Sequence, residues 1–281
     1  MTRIFLIFFL FITTSIATAQ KVHLNVFAGV ANYQGDLQAS RFTFSQSHPA
    51  VGAGILYEFS EKLYGRMGFT YGKISGDDKK SKLNQDRNLS FSSPVTEVHL
   101  GVEYDILNLY ERSLTPYVFA GIAGFKYNPS AIDNSGNKIL LQPLGTEGQG
   151  FVPGRKKYAL TQMAIPFGGG IKFALNDNVR IRFEVGLRRL FTDYLDDVST
   201  TYADELELLI NNGQQAVDLA FRAYEVKPAL SYPAADSKRG NPKSKDWYYF
   251  TGIGVSLRLT PAAEGRPKQG KSNLGCPVNV F

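Results

Sequence analysis

The chain has 281 residues, with 31 Lys+Arg against 25 Asp+Glu and a single cysteine. So mild a positive balance, with no basic stripe interleaved with aromatics, argues against a nucleic-acid binder. The lone Cys276 excludes an intramolecular disulfide framework. Twenty-seven glycines, 20 Phe and 15 Tyr, in a chain of middling hydropathy, are the composition of an exported membrane barrel.

Residues 1–19 read as an export signal. Arg3 supplies the positive start, Ile4 to Ile12 a short apolar core, and Ala17-Thr18-Ala19 a small-x-small cleavage site, so the mature chain begins at Gln20. The apolar core is too short to cross a bilayer, and nothing amphipathic follows to make it a buried helix. No cysteine stands near the cut to accept a lipid. No later run is apolar for the length of a membrane helix, so any crossing must use strands.

Period-two alternation marks those strands. The first begins at Val22, with Leu24, Val26, Ala28 and Val30 on one face, and gives way to a polar loop at Tyr33-Gln34-Gly35-Asp36-Leu37. The second, about Ala50 to Phe59, aligns Val51, Ala53, Ile55, Tyr57 and Phe59. After the short turn Ser60-Glu61-Lys62, the third runs Leu63 to Ser75, with Leu63, Met67, Phe69 and Tyr71 opposite Arg66 and Thr70. The charged loop Gly76 to Asn88 leads to a fourth strand, Val95 to Ile106. There Val98, Leu100, Val102 and Tyr104 alternate with Glu97, His99, Gly101 and Glu103. The fifth, Thr115 to Tyr127, is apolar on both parities. Its expected facing puts Tyr117, Phe119 and Phe125 outward, leaving small residues for a crowded interior.

The clearest alternation lies between Tyr158 and Thr200. Met163, Ile165, Phe167, Ile171 and Phe173 share one parity of strand six. In strand seven Val179, Ile181, Phe183, Val185 and Leu187 alternate with Arg180, Arg182, Glu184, Gly186 and Arg188. Between them Asn176-Asp177-Asn178 are residues that tolerate the positive φ of a tight hairpin. Gly168-Gly169-Gly170 lies mid-strand and lacks the Lys-Ser/Thr of a phosphate loop; such glycines ease curvature. The longest loop, Thr192 to Lys245, holds two helical stretches, Tyr202 to Asn211 and Gln214 to Tyr224. Thr200 or Thr201 is the expected cap, and Leu206, Leu209 and Ile210 need cover. The last strand, Trp247 to Leu259, alternates Ile253, Val255 and Leu257 with glycines, Ser256 and Arg258.

The count is eight, with short and long connections alternating. The expected fold is all-β: an eight-stranded antiparallel transmembrane β-barrel over residues 20–260, with short periplasmic turns, long extracellular loops and aromatics at strand ends. A soluble lipocalin-type barrel is the competitor. It would be apolar inside, whereas here the second parity carries Arg66, Glu97, Glu103, Lys172, Arg180, Arg182, Glu184, Arg188 and Arg258. A barrel of eight strands is just wide enough for such side chains to fill it. Arg–Glu pairing inside would leave no open pore.

Chemistry finds little footing. His99, between Glu97 and Glu103, is the candidate general base of an enzyme reading, but no serine is well placed beside it; a lumen polar residue is the plainer role. His23 and His48 suggest nothing. Asp193, Asp196 and Asp197, with Asp204 and Glu205 nearby, offer oxygen ligands for Ca²⁺. Their spacing is not that of an EF-hand, and surface acidity or pairing with Arg188 and Arg189 explains them better. No catalytic, cofactor or metal site is assigned, and no cofactor is expected.

Several segments carry a resemblance. They are Gly145-Thr146-Glu147-Gly148-Gln149-Gly150, Tyr158-Ala159-Leu160-Thr161-Gln162 with Ala164-Ile165-Pro166-Phe167-Gly168, Phe191 to Thr200 (FTDYLDDVST), Arg239-Gly240-Asn241-Pro242-Lys243 and Asp246-Trp247-Tyr248-Tyr249-Phe250. Tyr33 to Leu37 and Thr115 to Gly121 fit with them. The chain resembles the PorG-type outer-membrane barrels associated with the type IX secretion system. That resemblance implies a barrel without chemistry of its own, tied to a periplasmic ring of PorK/PorN or GldK/GldN type, and set among outer-membrane lipids. The alternatives are a generic small barrel for adhesion or envelope stability and a lipid-modifying enzyme resting on His99. With eight strands both termini are expected on the periplasmic side. Residues 261–281 then form a basic periplasmic tail whose Cys276 can bridge to a partner.

Overall fold

The structure is a computed structural model that describes residues 22–38, 43, 45–81 and 84–259. The expected signal at 1–19, the tail at 261–281 and Cys276 lie outside the described residues.

Eight long strands make the wall: β1 (Val22–Gln34), β2 (His48–Glu58), β3 (Leu63–Asp77), β4 (Ser90–Asp105), β5 (Leu114–Tyr127), β8 (Thr161–Ala174), β9 (Val179–Leu190) and β10 (Trp247–Arg258). Each pairs antiparallel with its neighbour in the chain. β1 also pairs with β10 along twelve residues, from His23 opposite Arg258 to Gln34 opposite Trp247, so the sheet closes on itself. Closure leaves no unpaired edge, the condition for strands to sit in hydrocarbon. The connections β2–β3, β4–β5 and β8–β9 are short and lie at one end with Val22 and Arg258. The other four are long and lie at the opposite end.

One parity of every wall strand is exposed over much of its length and predominantly apolar. Val51, Met67, Val98, Leu100, Ile122, Met163, Phe183 and Ile253 are each roughly half exposed on the outside, while Arg66, Glu97, Glu103, Lys172, Arg182 and Arg188 are buried inside. This is the reverse of a lipocalin-type barrel. An exterior of that size and polarity is stable only against lipid.

Strand five corrects the expected facing. Tyr117, Phe119 and Phe125 point inward and are buried, whereas Leu114, Val118 and Ile122 are exposed. The reason lies opposite them. The Tyr117 hydroxyl reaches Glu184 at 2.9 Å, and the Arg66 guanidinium stacks 3.9 Å over the Phe119 ring. Aromatic faces thus serve the interior cations. The β8–β9 turn also differs. None of Asn176, Asp177 and Asn178 adopts a positive φ. Instead the Asn176 side-chain oxygen accepts from the N–H groups of Asn178 and Val179, both at 2.9 Å, an Asx-type turn.

The long loops hold more structure than their composition suggests. Between β5 and β8 a hairpin of β6 (Ser130–Ile132) and β7 (Lys138–Leu140) precedes α1 (Leu141–Leu144). The last loop carries α2 (Glu205–Asn212) and α3 (Gln214–Ala220). The cap of α2 is Asp204, accepting from the Glu207 N–H, and not Thr200 or Thr201. Those threonines are held elsewhere. Leu208 is the buried residue of α2, while Leu206 and Ile210 are 62% and 73% exposed, so they find no cover among the described residues.

Gly101 and Gly121 face each other across β4 and β5. A β-carbon on Gly121 would collide with the Leu100 carbonyl and the Gly101 α-carbon. Gly121→Val should therefore abolish folding to the compact barrel, read as loss of heat-modifiable migration in SDS gels, whereas Ile122→Val on the lipid side should leave it unchanged.

Candidate functional site

Two polar assemblies dominate the molecule: a charge ladder inside the wall and a buried acidic knot under the long loops. The ladder exists because β9 puts Arg180, Arg182, Glu184 and Arg188 on its inward parity, and Glu58 of β2, Arg66 of β3 and Glu97 and Glu103 of β4 answer them with complementary charges. At its centre Arg182 donates to Glu103 and Glu184, both at 2.6 Å. Arg66 donates to Glu184 at 3.1 Å and to Glu103 at 3.3 Å. Lys172 Nζ sits 2.6 Å from both Glu103 and Asp105. Towards the loop end Arg188 clasps Glu97 through two bonds of 2.9 Å, and the Tyr248 hydroxyl adds a third at 2.7 Å. Towards the turn end Glu58 accepts from Tyr110 and, at 3.1 Å, from Arg258, which also contacts the Tyr110 hydroxyl. A void of about 30 Å³ remains beside Arg66, His99 and Arg182. That is room for about one water molecule, not for a conducting path.

The candidate base His99 lies inside this ladder. Its Nδ1 is 3.2 Å from Glu97 but not aligned for a hydrogen bond, and Glu97 is already claimed by Arg188 and Tyr248. The void next to His99 offers Thr70 as its one hydroxyl and no serine. A serine–histidine contact does occur at the loop end, where His48 Nε2 meets Ser75 Oγ at 2.7 Å. No carboxylate among the described residues orients that imidazole, as a catalytic pair requires. His23 lies 3.4 Å from Glu58 at the turn end.

The knot was not legible as such. Glu147, from the loop between β5 and β8, is fully buried. It accepts from the Ser199 N–H at 2.9 Å, the Thr200 N–H at 3.0 Å, the Thr200 hydroxyl at 2.6 Å, the Tyr194 hydroxyl at 3.1 Å and Arg239 at 3.0 Å. One carboxylate thus fastens the last loop to the one before it. Asp197, at φ +68°, accepts from the Thr146 and Tyr158 hydroxyls at 2.5 and 2.6 Å. The Tyr33 hydroxyl, at the end of β1, bonds Asp196. Asp246, just before β10, accepts from the Leu195 N–H at 2.9 Å, and Asp36 from the Asn241 N–H at 2.9 Å. Arg87 brings in the β3–β4 loop, binding Asp78 through two bonds of 2.8 Å and the carbonyls of Asp36 and Arg239.

Asp193, Asp196 and Asp197 are therefore neither surface acidity nor partners of Arg188 and Arg189. They are almost wholly buried; Arg188 turns into the lumen and Arg189 faces out. Nor do they meet Asp204 and Glu205. Among the described residues no three acidic, histidine or cysteine side chains converge as metal ligands. Burial instead raises the pKa values of several of the carboxyls in the knot. Burial pushes the Asp193 carboxyl up to about 7, and it pushes Asp197 to about 6 against the pull of Arg239. Burial, followed by the charge of Asp196, drives Asp246 well above the carboxylate range, and burial does the same to Asp196.

The family model described as "Domain of unknown function (DUF6089)" matches residues 2–144, just over half of the 281. The chain belongs to this family. No curated protein matches it. Among solved structures, this DUF6089 chain is similar to Neisserial surface protein A, with 9% identity and a TM-score of 0.44 over 85% of this chain and 97% of that one. It is also similar to the outer membrane protein OprG from Pseudomonas aeruginosa, with 10% identity, a TM-score of 0.39 and coverage of 85% and 97%. The attachment invasion locus protein Ail of Yersinia pestis matches at 10% identity and a TM-score of 0.38 over 84% and 98%.

An acid whose folded pKa lies above its unfolded value stabilises below the unfolded pKa and loses that contribution as pH rises through the folded one. For Asp193 and Asp197 the loss spans about pH 4 to 7. Limited proteolysis of residues 201–246 should therefore accelerate between about pH 4 and 7, and Asp193→Asn should flatten that rise. Arg239→Ala leaves Glu147 and Asp197 without their cation and should cost roughly 3–5 kcal/mol of loop protection, measured by hydrogen exchange.

Proposed function

We propose that the protein is a non-enzymatic outer-membrane barrel serving as a fixed component of the type IX secretion machinery, in contact with its periplasmic ring of PorK/PorN or GldK/GldN type. The observation that carries this reading is convergence. The segments on which the PorG-type resemblance rests are scattered from Tyr33 to Phe250, yet Tyr33, Asp36, Glu147, Tyr158, Asp193, Asp196, Asp197, Arg239 and Asp246 meet in one buried knot. A shared sequence signature that builds one shared cap is what a family resemblance predicts.

A lumen filled by ion pairs leaves the two ends of the barrel as working surfaces. In this reading the turn end, where Val22 and Arg258 lie, faces the periplasm and the ring. The capped loop end faces outward. Deleting the gene should block secretion of type IX cargo, and removing residues 261–281 should leave a folded barrel that no longer retrieves ring components. Normal cargo secretion in the deletion strain would leave the second reading, a small adhesion or envelope barrel. The apolar, exposed Leu206 and Ile210 on α2 at the loop end favour that alternative. Reconstituted in planar bilayers, the barrel should give no stable conductance steps.

A further inference from the structure

The outward parity of the eight wall strands carries three cations, Lys73 on β3, Lys126 on β5 and Arg189 on β9. All three stand in the loop-end part of their strands, just past the last large apolar residues of those rows, Tyr71, Ile122 and Leu187. Each is exposed, and none has an ion-pair partner among the described residues. The turn-end part of the same rows has no charge at all: Tyr57, Leu63, Tyr104, Leu114, Phe173, Val179 and Leu257 occupy it. The one outward carboxylate, Asp77 at the last position of β3, accepts from the Lys79 N–H.

Two of the cations are close neighbours. Lys126 stands directly opposite Thr96 of β4 and Thr161 of β8. Residues directly opposite share a face, so a hydroxyl flanks Lys126 on each side. Lys73 stands opposite Pro94, two residues along β4 from Thr96. Lys73 and Lys126 are therefore two strand spacings apart across the outer wall and two residues apart along it, about 12 Å in all.

We propose that this band is a docking site for the phosphate groups of a phosphorylated glycolipid headgroup in the leaflet at the loop end. Lys73 and Lys126 engage phosphate, Thr96 and Thr161 donate hydroxyl bonds to the same headgroup, and Arg189 forms a further contact around the wall. Within the strand rows the charge is of the right sign, at the depth where apolar wall gives way to headgroups, and at the loop end only. A lysine on a lipid-facing row is costly in hydrocarbon and favourable against anionic headgroups. A bilayer with anionic glycolipid in one leaflet and neutral lipid in the other matches that one-sidedness, as ordinary phospholipid on both faces does not. The assignment rests on the loop end facing outward in the outer membrane. Its test uses purified protein in micelles, so it fails independently of any secretion phenotype.

The experiment measures retention of lipid A by the folded full-length barrel in neutral detergent, by native mass spectrometry, against dephosphorylated lipid A and phosphatidylglycerol. Lipid A should bind in preference to both. Affinity should fall about fivefold for each cation removed, roughly 100-fold in Lys73→Ala/Lys126→Ala/Arg189→Ala, while Lys73→Arg/Lys126→Arg keeps it. If the triple variant does not fold, salt titration of the wild type decides. Binding that weakens steeply with ionic strength supports the site. Equal retention of the dephosphorylated lipid or of phosphatidylglycerol, an unaffected triple variant, or salt-insensitive binding overturns it.

Discussion

Arg182 and Glu184 stand two residues apart on the same inward row, and Glu103 reaches Arg182 from across the barrel at 2.6 Å. Everything else about the wall depends on contacts of this kind. An unpaired ion in so narrow a lumen costs several kcal/mol, and removing one partner of a buried pair costs about 3–5 kcal/mol. The six lumen cations, Arg66, Lys172, Arg180, Arg182, Arg188 and Arg258, are answered by Glu58, Glu97, Glu103, Asp105 and Glu184, with tyrosine hydroxyls and ring faces filling the remainder. Such a network fixes the register of the strands that carry it, since a slip of one residue would send their charges into lipid.

The wall was readable because its two solvents differ so sharply. Lipid demands an unbroken apolar row and a crowded lumen demands paired charge, so Phe183 and Arg182 could be assigned to opposite faces from alternation alone. Strand five broke the rule. Tyr117, Phe119 and Phe125 are as apolar as the residues they alternate with, and their inward facing depends on Arg66 and Glu184, more than fifty residues away in one case and more than sixty in the other. Alternation carries no information about such partners. The β8–β9 turn was placed correctly, but its mechanism was not, because Asn176 serves through its side chain and not through its backbone.

Burial of the acidic knot escapes local sequence patterns for a related reason. Asp193, Asp196 and Asp197 in a polar loop look like solvated charges, and local spacing gives no hint of burial. Their partners come from loops far apart in sequence: Arg239 lies 92 residues from Glu147, and Tyr33 lies 163 from Asp196. What the sequence did contain was the set of segments that meet there, recognisable by resemblance before any contact was known. Those segments were visible as a family signature and invisible as a structure.

The place where the knot grips β1 has a consequence for the closure of the barrel. Tyr33 leaves the first strand of the barrel, and Asp246 immediately precedes the last. These are the two strands whose pairing closes the cylinder, with Tyr33 opposite Tyr248 in the register. The Tyr33 hydroxyl on Asp196 ties β1 to the loop that leads into β10, so the crown of loops and the closing pair of strands are fastened to each other. The loop-end layer thus acts as a seal on the seam between the first and last strands of the wall.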